Sequence, residues 1–117
     1  MPTMTTIFKA ICVAAAIALL TAGSSGAAAA ETRCKDVKNP YPGTRYEGVP
    51  LSDIKTEGLP CEFARRVAKG AHRKGLEMCC EATLRYRWKR WSVTGDLRPP
   101  HDRYVARRGQ RTVTWRF

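Results

Sequence analysis

From Leu84 to Lys89 the chain alternates without a break between an apolar and a basic side chain: Leu84-Arg85-Tyr86-Arg87-Trp88-Lys89. Successive side chains of a β-strand point to opposite faces, so this run is a strand with one face buried and the other in solvent. Tyr86 and Trp88 belong to a core; Arg85, Arg87 and Lys89 project from the opposite face. The apolar phase resumes at Trp91 and Val93, one residue out of step, and a β-bulge near Lys89-Arg90 would repair the register. A polar loop follows, with Gly95, Asp96, Pro99 and Pro100. Tyr104–Arg107 and Arg111–Phe117 then flank Arg108-Gly109-Gln110, which reads as a hairpin turn.

An amphipathic sheet needs a second layer, and a helix beginning near Cys61 supplies it. Phe63, Ala64, Val67, Ala68 and Ala71 fall on one helical face, while Arg65, Arg66, Lys69, Arg73 and Lys74 occupy much of the remainder. His72 is expected among the exposed residues. Gly75 is expected to stop the helix, and Gly70 within it costs about 1 kcal/mol relative to alanine unless another element packs closely there. Upstream, Ser52–Glu57 reads as a short strand ended by Gly58-Leu59-Pro60. The expectation is an α+β domain over residues 52–117, with one helix packed on a small, about three-stranded antiparallel sheet. Residues 31–51, with Asn39-Pro40-Tyr41-Pro42-Gly43 and Pro50, read as a loosely structured, loop-rich arm.

Residues 1–30 form a separate unit. Lys9 is their only charged side chain; an apolar run and then small residues up to Ala30 follow it. That is a secretory signal peptide, its apolar stretch shorter than the roughly 20 residues that span a bilayer. Cleavage after Ala30 leaves an exported chain of 87 residues.

A chain this short buries only about 60% of its unfolded surface, and small exported domains make up the deficit with disulfides, typically about 2–4 kcal/mol each. Four cysteines remain, Cys34, Cys61, Cys79 and Cys80. A Cys79–Cys80 bridge closes a strained ring and is disfavoured. The two other pairings both join Cys61 to one of that neighbouring pair and Cys34 to the other, and reach favours Cys61 with Cys80. Structural zinc sites usually present two close cysteine pairs, whereas here there is one pair and two singles, so no metal site is expected.

The exported part carries 20 basic and 10 acidic side chains, and the excess is concentrated: residues 85–117 hold ten basic groups against Asp96 and Asp102 alone. Such a field attracts an anionic polymer or an envelope surface. Candidate contacts are Arg85, Arg87 and Lys89 on the strand, Arg107, Arg108 and Arg111 at the hairpin, and Arg116 at the edge. The plain alternative is a solvated basic face over an aromatic core. A protein partner for the proline-rich arm or the hairpin is a further reading. No cofactor motif is visible, no small-molecule substrate is suggested, and neither His72 nor His101 stands in a recognisable triad, so a non-enzymatic role is expected. Nothing in the sequence fixes an oligomeric state.

Leu59-Pro60-Cys61-Glu62-Phe63-Ala64-Arg65-Arg66-Val67-Ala68, the aromatic basic strand after it and the terminal Arg-Gly-Gln-Arg-Thr-Val-Thr-Trp-Arg-Phe together resemble a group of small secreted bacterial domains. Their pattern is a strand, Cys-x-x-Ala-Arg-x-Val-Ala on a helix, a Gly-Tyr-x-Cys strand and a closing Cys-x-x-Gly hairpin. The resemblance spans roughly Ser52 to Phe117 and implies export and α+β architecture, with no activity to carry over. This chain departs from the pattern at Arg85-Tyr86-Arg87-Trp88 and at Ala106, so the group's disulfides do not transfer. N-terminal sequencing of the exported protein should read from Glu31; a first residue well before it would contradict cleavage after Ala30.

Overall fold

The computed structural model describes residues 30–78 and 81–117. The expected signal peptide, apart from Ala30, and Cys79 and Cys80 lie outside the described residues. The elements in chain order are β1 (Thr32–Arg33), β2 (Ser52–Glu57), α1 (Cys61–Glu77), β3 (Thr83–Trp88), β4 (Trp91–Asp96), β5 (Arg103–Arg108) and β6 (Arg111–Arg116). All six strands join one sheet in the order β1-β2-β6-β5-β4-β3, every neighbouring pair antiparallel. Strands β3 to β6 form a meander, β2 zips onto β6 with Thr56 opposite Val113, and α1 crosses one face of the sheet to reach β3.

This six-stranded, mostly β architecture corrects the expectation of a helix on about three strands. The largest error lay at Lys89-Arg90. Trp88 and Trp91 are cross-strand partners about a two-residue turn, and Lys89 adopts φ 54. In such a hairpin the residues flanking the turn are three apart and share a face, so the apolar phase slips by one, as it does at a bulge. Lys-Arg carries none of the usual turn residues, and the reversal passed for a continuing strand. The second hairpin has the same geometry, Arg108 opposite Arg111, but there Gly109 takes the positive φ of 62 that the turn demands and betrays it.

The arm is also more ordered than expected. β1 pairs with β2, Val37 bridges Leu51, and Tyr41 and Leu51 are buried. Cys34 bonds Cys61, which overturns the expected link from Cys61 to Cys80. The physical reason is proximity at the sheet edge: Cys34 N–H donates to the carbonyl of Ile54 on β2 at 2.7 Å, which carries the arm past the first turn of α1. Asp53, at φ 50 beside a register shift in β2, gathers Arg33 (3.0 Å), Arg116 (3.5 Å) and Lys55 (3.9 Å) around one carboxylate.

The core lies between α1 and the sheet. The helix contributes small side chains, Ala64, Val67, Ala68 and Ala71, and the sheet large ones, Trp91, Tyr104 and Trp115, with Tyr104 and Trp115 stacked at 5.3 Å. Three helical expectations fail for one cause. Gly75 does not end the helix, because it is buried where Tyr86 and Tyr104 approach the helix, and α1 runs on to Glu77. His72 is not exposed but fully buried, and Phe63, assigned to the buried face, is 47% exposed. The buried stripe is rotated toward Ala71, His72 and Gly75.

Gly70 is explained by Trp88, for a Cβ there would lie far inside van der Waals contact with the indole ring. Gly70→Ala should therefore lower stability by about 1–3 kcal/mol through overpacking, although alanine is the better helix former. Urea unfolding checks this; a neutral or stabilising result would show that Trp88 does not pack where described.

Candidate functional site

Three connections meet at one end of the sheet: the β2–α1 segment Gly58-Leu59-Pro60, the β3–β4 turn and the β5–β6 turn. With the first two turns of α1 they enclose an open groove of about 710 Å³. Its floor and walls are apolar, formed by Leu59, Pro60, Phe63, Val67, Trp88 and Trp91, and its rim is basic, formed by Arg66, Lys89, Arg90, Arg108 and Arg111. None of the lining residues is acidic.

The local sequence explains each position. Two-residue turns place Lys89-Arg90 and the Arg108/Arg111 pair beside one another, because β3–β4 and β5–β6 reverse at the same end of the meander. Pro60 caps α1 without a side-chain hydrogen bond, so the positive end of the helix dipole opens toward the same region. Arg66 is held to Glu62 at 3.1 Å, one helical turn away. Among the described residues Lys89, Arg90, Arg108 and Arg111 form no ion pair. Two cations lie over aromatic faces, Lys89 Nζ at 4.9 Å from the Trp88 ring centre and Arg66 Cζ at 5.3 Å from that of Phe63.

The basic residues singled out in the sequence are thus divided. Lys89, Arg108 and Arg111 line the groove. Arg85, Arg87 and Arg107 project from the opposite, solvent-facing side of the sheet, where Arg87 aligns with Ser92 and Ser92 with Arg107. Arg116 is on that side too, half-buried and paired with Asp53. Lys89 leaves the strand's alternation because it sits in the turn. Sequence reasoning missed Phe63, Arg66 and Arg90. The signal available for them was a pair of adjacent cations between two tryptophans and a phenylalanine in the first turn of a basic helix.

On the sheet's outer side, Asp96 accepts two hydrogen bonds from the Arg98 guanidinium, each 2.8 Å, and one from its backbone N–H, which hold its carboxyl well below the usual range. Asp96 and Arg98 thereby neutralise each other. Asp102 is pushed the other way by burial and by the nearby Asp96 charge.

A second cluster lies at the far end of the helix. His72 is enclosed by Tyr41 from the arm, Tyr104 from β5 and Phe117, with ring centres at 5.5, 4.9 and 4.2 Å. Its Nδ1 shares a 2.6 Å hydrogen bond with the Tyr41 hydroxyl, while Nε2 has no partner among the described residues. Burial pulls the imidazole down to about 4, and pushes the Tyr41 phenol up to about 12 against the opposing pull of Arg73. The cluster fastens the arm and the C-terminal residue to the helix, and no His72 atom is open to a substrate. Among the described residues no three histidine, cysteine or acidic side chains converge as a metal site.

No family model matches the chain, and neither does any curated protein or solved structure.

Between its ordinary pKa of 6.5 and about 4, the unfolded His72 holds a proton that the folded one refuses. Stability therefore falls as pH drops through that interval, by about 3 kcal/mol for this group. Denaturant unfolding across pH should show the slope in the native protein and its loss in His72→Met, whatever that variant's absolute stability. A slope retained by the variant would place its origin elsewhere.

Proposed function

We propose that this protein is an extracytoplasmic binding domain for anionic polymers or anionic surfaces, acting by association and not by catalysis, with the groove as its ligand site. The observation that carries the reading is the rim: five cations from three separate segments converge on one concavity with no acid in its lining. A basic surface of solubility value alone has no reason to concentrate charge around exposed apolar side chains, since each like-charged neighbour costs repulsion. A low-dielectric floor also reduces the screening of the cations above it, so an anion held there gains more than on the flat outer sheet. Action outside the cytoplasm is supported by the Cys34–Cys61 bond, which persists in oxidising compartments.

A protein-interaction role, as a module of the cell envelope, is the second reading. The observation that favours it is the open edge of β3, which pairs with β4 on one side only among the described residues. An extended acidic peptide adding to that edge would meet Arg85 and Arg87.

Binding to a panel of nucleic acids and acidic polysaccharides separates these readings. Retention should weaken steeply between about 50 and about 200 mM salt, and Arg108→Glu combined with Arg111→Glu should reduce affinity at least about tenfold at the lower salt. Arg85→Glu with Arg87→Glu should have the smaller effect. Binding indifferent to salt, or abolished only by the β3 pair, would overturn the groove as the site in favour of the strand edge.

A further inference from the structure

We infer that the groove takes a flexible single-stranded nucleic acid, its bases against the aromatic floor and its phosphates on the basic rim. The inference rests on the polyanion reading above and narrows it.

A ligand of charge alone would use the rim and waste the floor. Phe63 is 47% exposed at the groove, the most exposed large hydrophobic residue of those described, and Trp88 is half-buried beside it. The ligand that uses both carries flat apolar units and anions in alternation along one chain. Lys89 over Trp88 and Arg66 over Phe63 fit this sequence of events. Each is an exposed cation on a long stem resting on a ring face. A phosphate that draws the cation aside uncovers the ring for a base, and stacking on such a platform is tolerant of sequence.

What the lining lacks also discriminates among polyanions. It contains no Asn, Gln, Asp, Glu, Ser or Thr. Sugar hydroxyls and base edges are both recognised by such groups, which fix orientation through paired hydrogen bonds. Their absence disfavours an acidic polysaccharide, and for a nucleic acid it predicts binding dominated by stacking and charge, with Arg and Lys contacts to guanine the one form of base readout the lining offers. A duplex keeps its bases inside its own stack and offers only phosphates, so the floor would stay wet. A single strand can splay its bases into a concavity.

Fluorescence anisotropy tests this on the intact protein with four probes: a short oligothymidylate, a duplex of equal charge, inorganic polyphosphate of equal charge and vesicles of anionic phospholipid. The single strand should bind at least about tenfold more tightly than the duplex or polyphosphate, with a salt slope of roughly −3 for the cations engaged. It should also quench tryptophan emission, Trp88 being half-exposed while Trp91 and Trp115 are buried. Phe63→Ala, at an exposed position, should lower the ratio of oligothymidylate to polyphosphate affinity about tenfold. The quenching on the unmodified protein serves if that variant fails to fold. Equal affinity for oligothymidylate and polyphosphate, tighter binding of the duplex, or capture by vesicles that the single strand does not displace would each overturn the inference and leave the polyanion reading standing. Absence of binding to all four would overturn both.

Discussion

The separation between α1 and the sheet governs the rest of the molecule. It is set by a mismatch of side-chain size across the interface: alanine and glycine on the helix, aromatic rings on the sheet. Trp88 lies against the backbone of Gly70, and Tyr86 and Tyr104 reach the backbone near Gly75, where Tyr86 O–H donates to the carbonyl of Ala71. Small residues on one layer let large ones on the other interdigitate without voids, and close packing of this kind tolerates little change in volume. The groove inherits its shape from that interface. Were the helix farther out, Trp88 would lose its support, and the wall carrying Phe63 and Arg66 would no longer stand opposite the two turns.

The second constraint is closure of the β2 side of the sheet. β2 would be an open edge along most of its length without the arm, which covers it by β1, by the Val37–Leu51 bridge and by the Cys34–Cys61 bond. Asp53 at its irregularity draws in cations from β1, β2 and β6. These ion pairs are partly solvated and individually weak; their use is to fix the register of a strand joined to β6 across most of the sequence. The disulfide ties the same arm to the first residue of α1, next to the segment that walls the groove. At the other end Tyr41, His72 and Phe117 do the corresponding job by burial.

Much of this was legible and some was not, for identifiable reasons. The strict alternation of Leu84–Trp88 placed Tyr86 and Trp88 on the core side correctly, because a period of two has one structural meaning. The slip between Trp88 and Trp91 has two, and without glycine or asparagine at the turn the sequence could not separate a bulge from a reversal. That single ambiguity hid a strand and Arg90's place in the groove; Lys89 was named as a contact but on the strand face with Arg85 and Arg87, and it lines the groove only because the chain turns there. The disulfide was misread because the chain was expected to double back along the helix and join Cys61 to Cys80, whereas Cys34 reaches Cys61 laterally, along β2. His72 was misplaced because burial of a histidine depends on what the arm delivers, and Tyr41 is 31 residues away. Gly70 was read correctly as a site of close packing, although its partner could not be named from sequence.

The central claim is that charge and apolar surface meet at one end of the sheet to form the binding site. Backbone amide shifts in a titration of the protein with an anionic polymer test it most directly. The account predicts that the amides of residues 58, 59, 61–63, 89–90 and 108–111 shift together and saturate together while Ser92 and Thr94 stay still. Shifts confined to the outer sheet around Arg85, Arg87 and Arg107, with the groove unmoved, would contradict it.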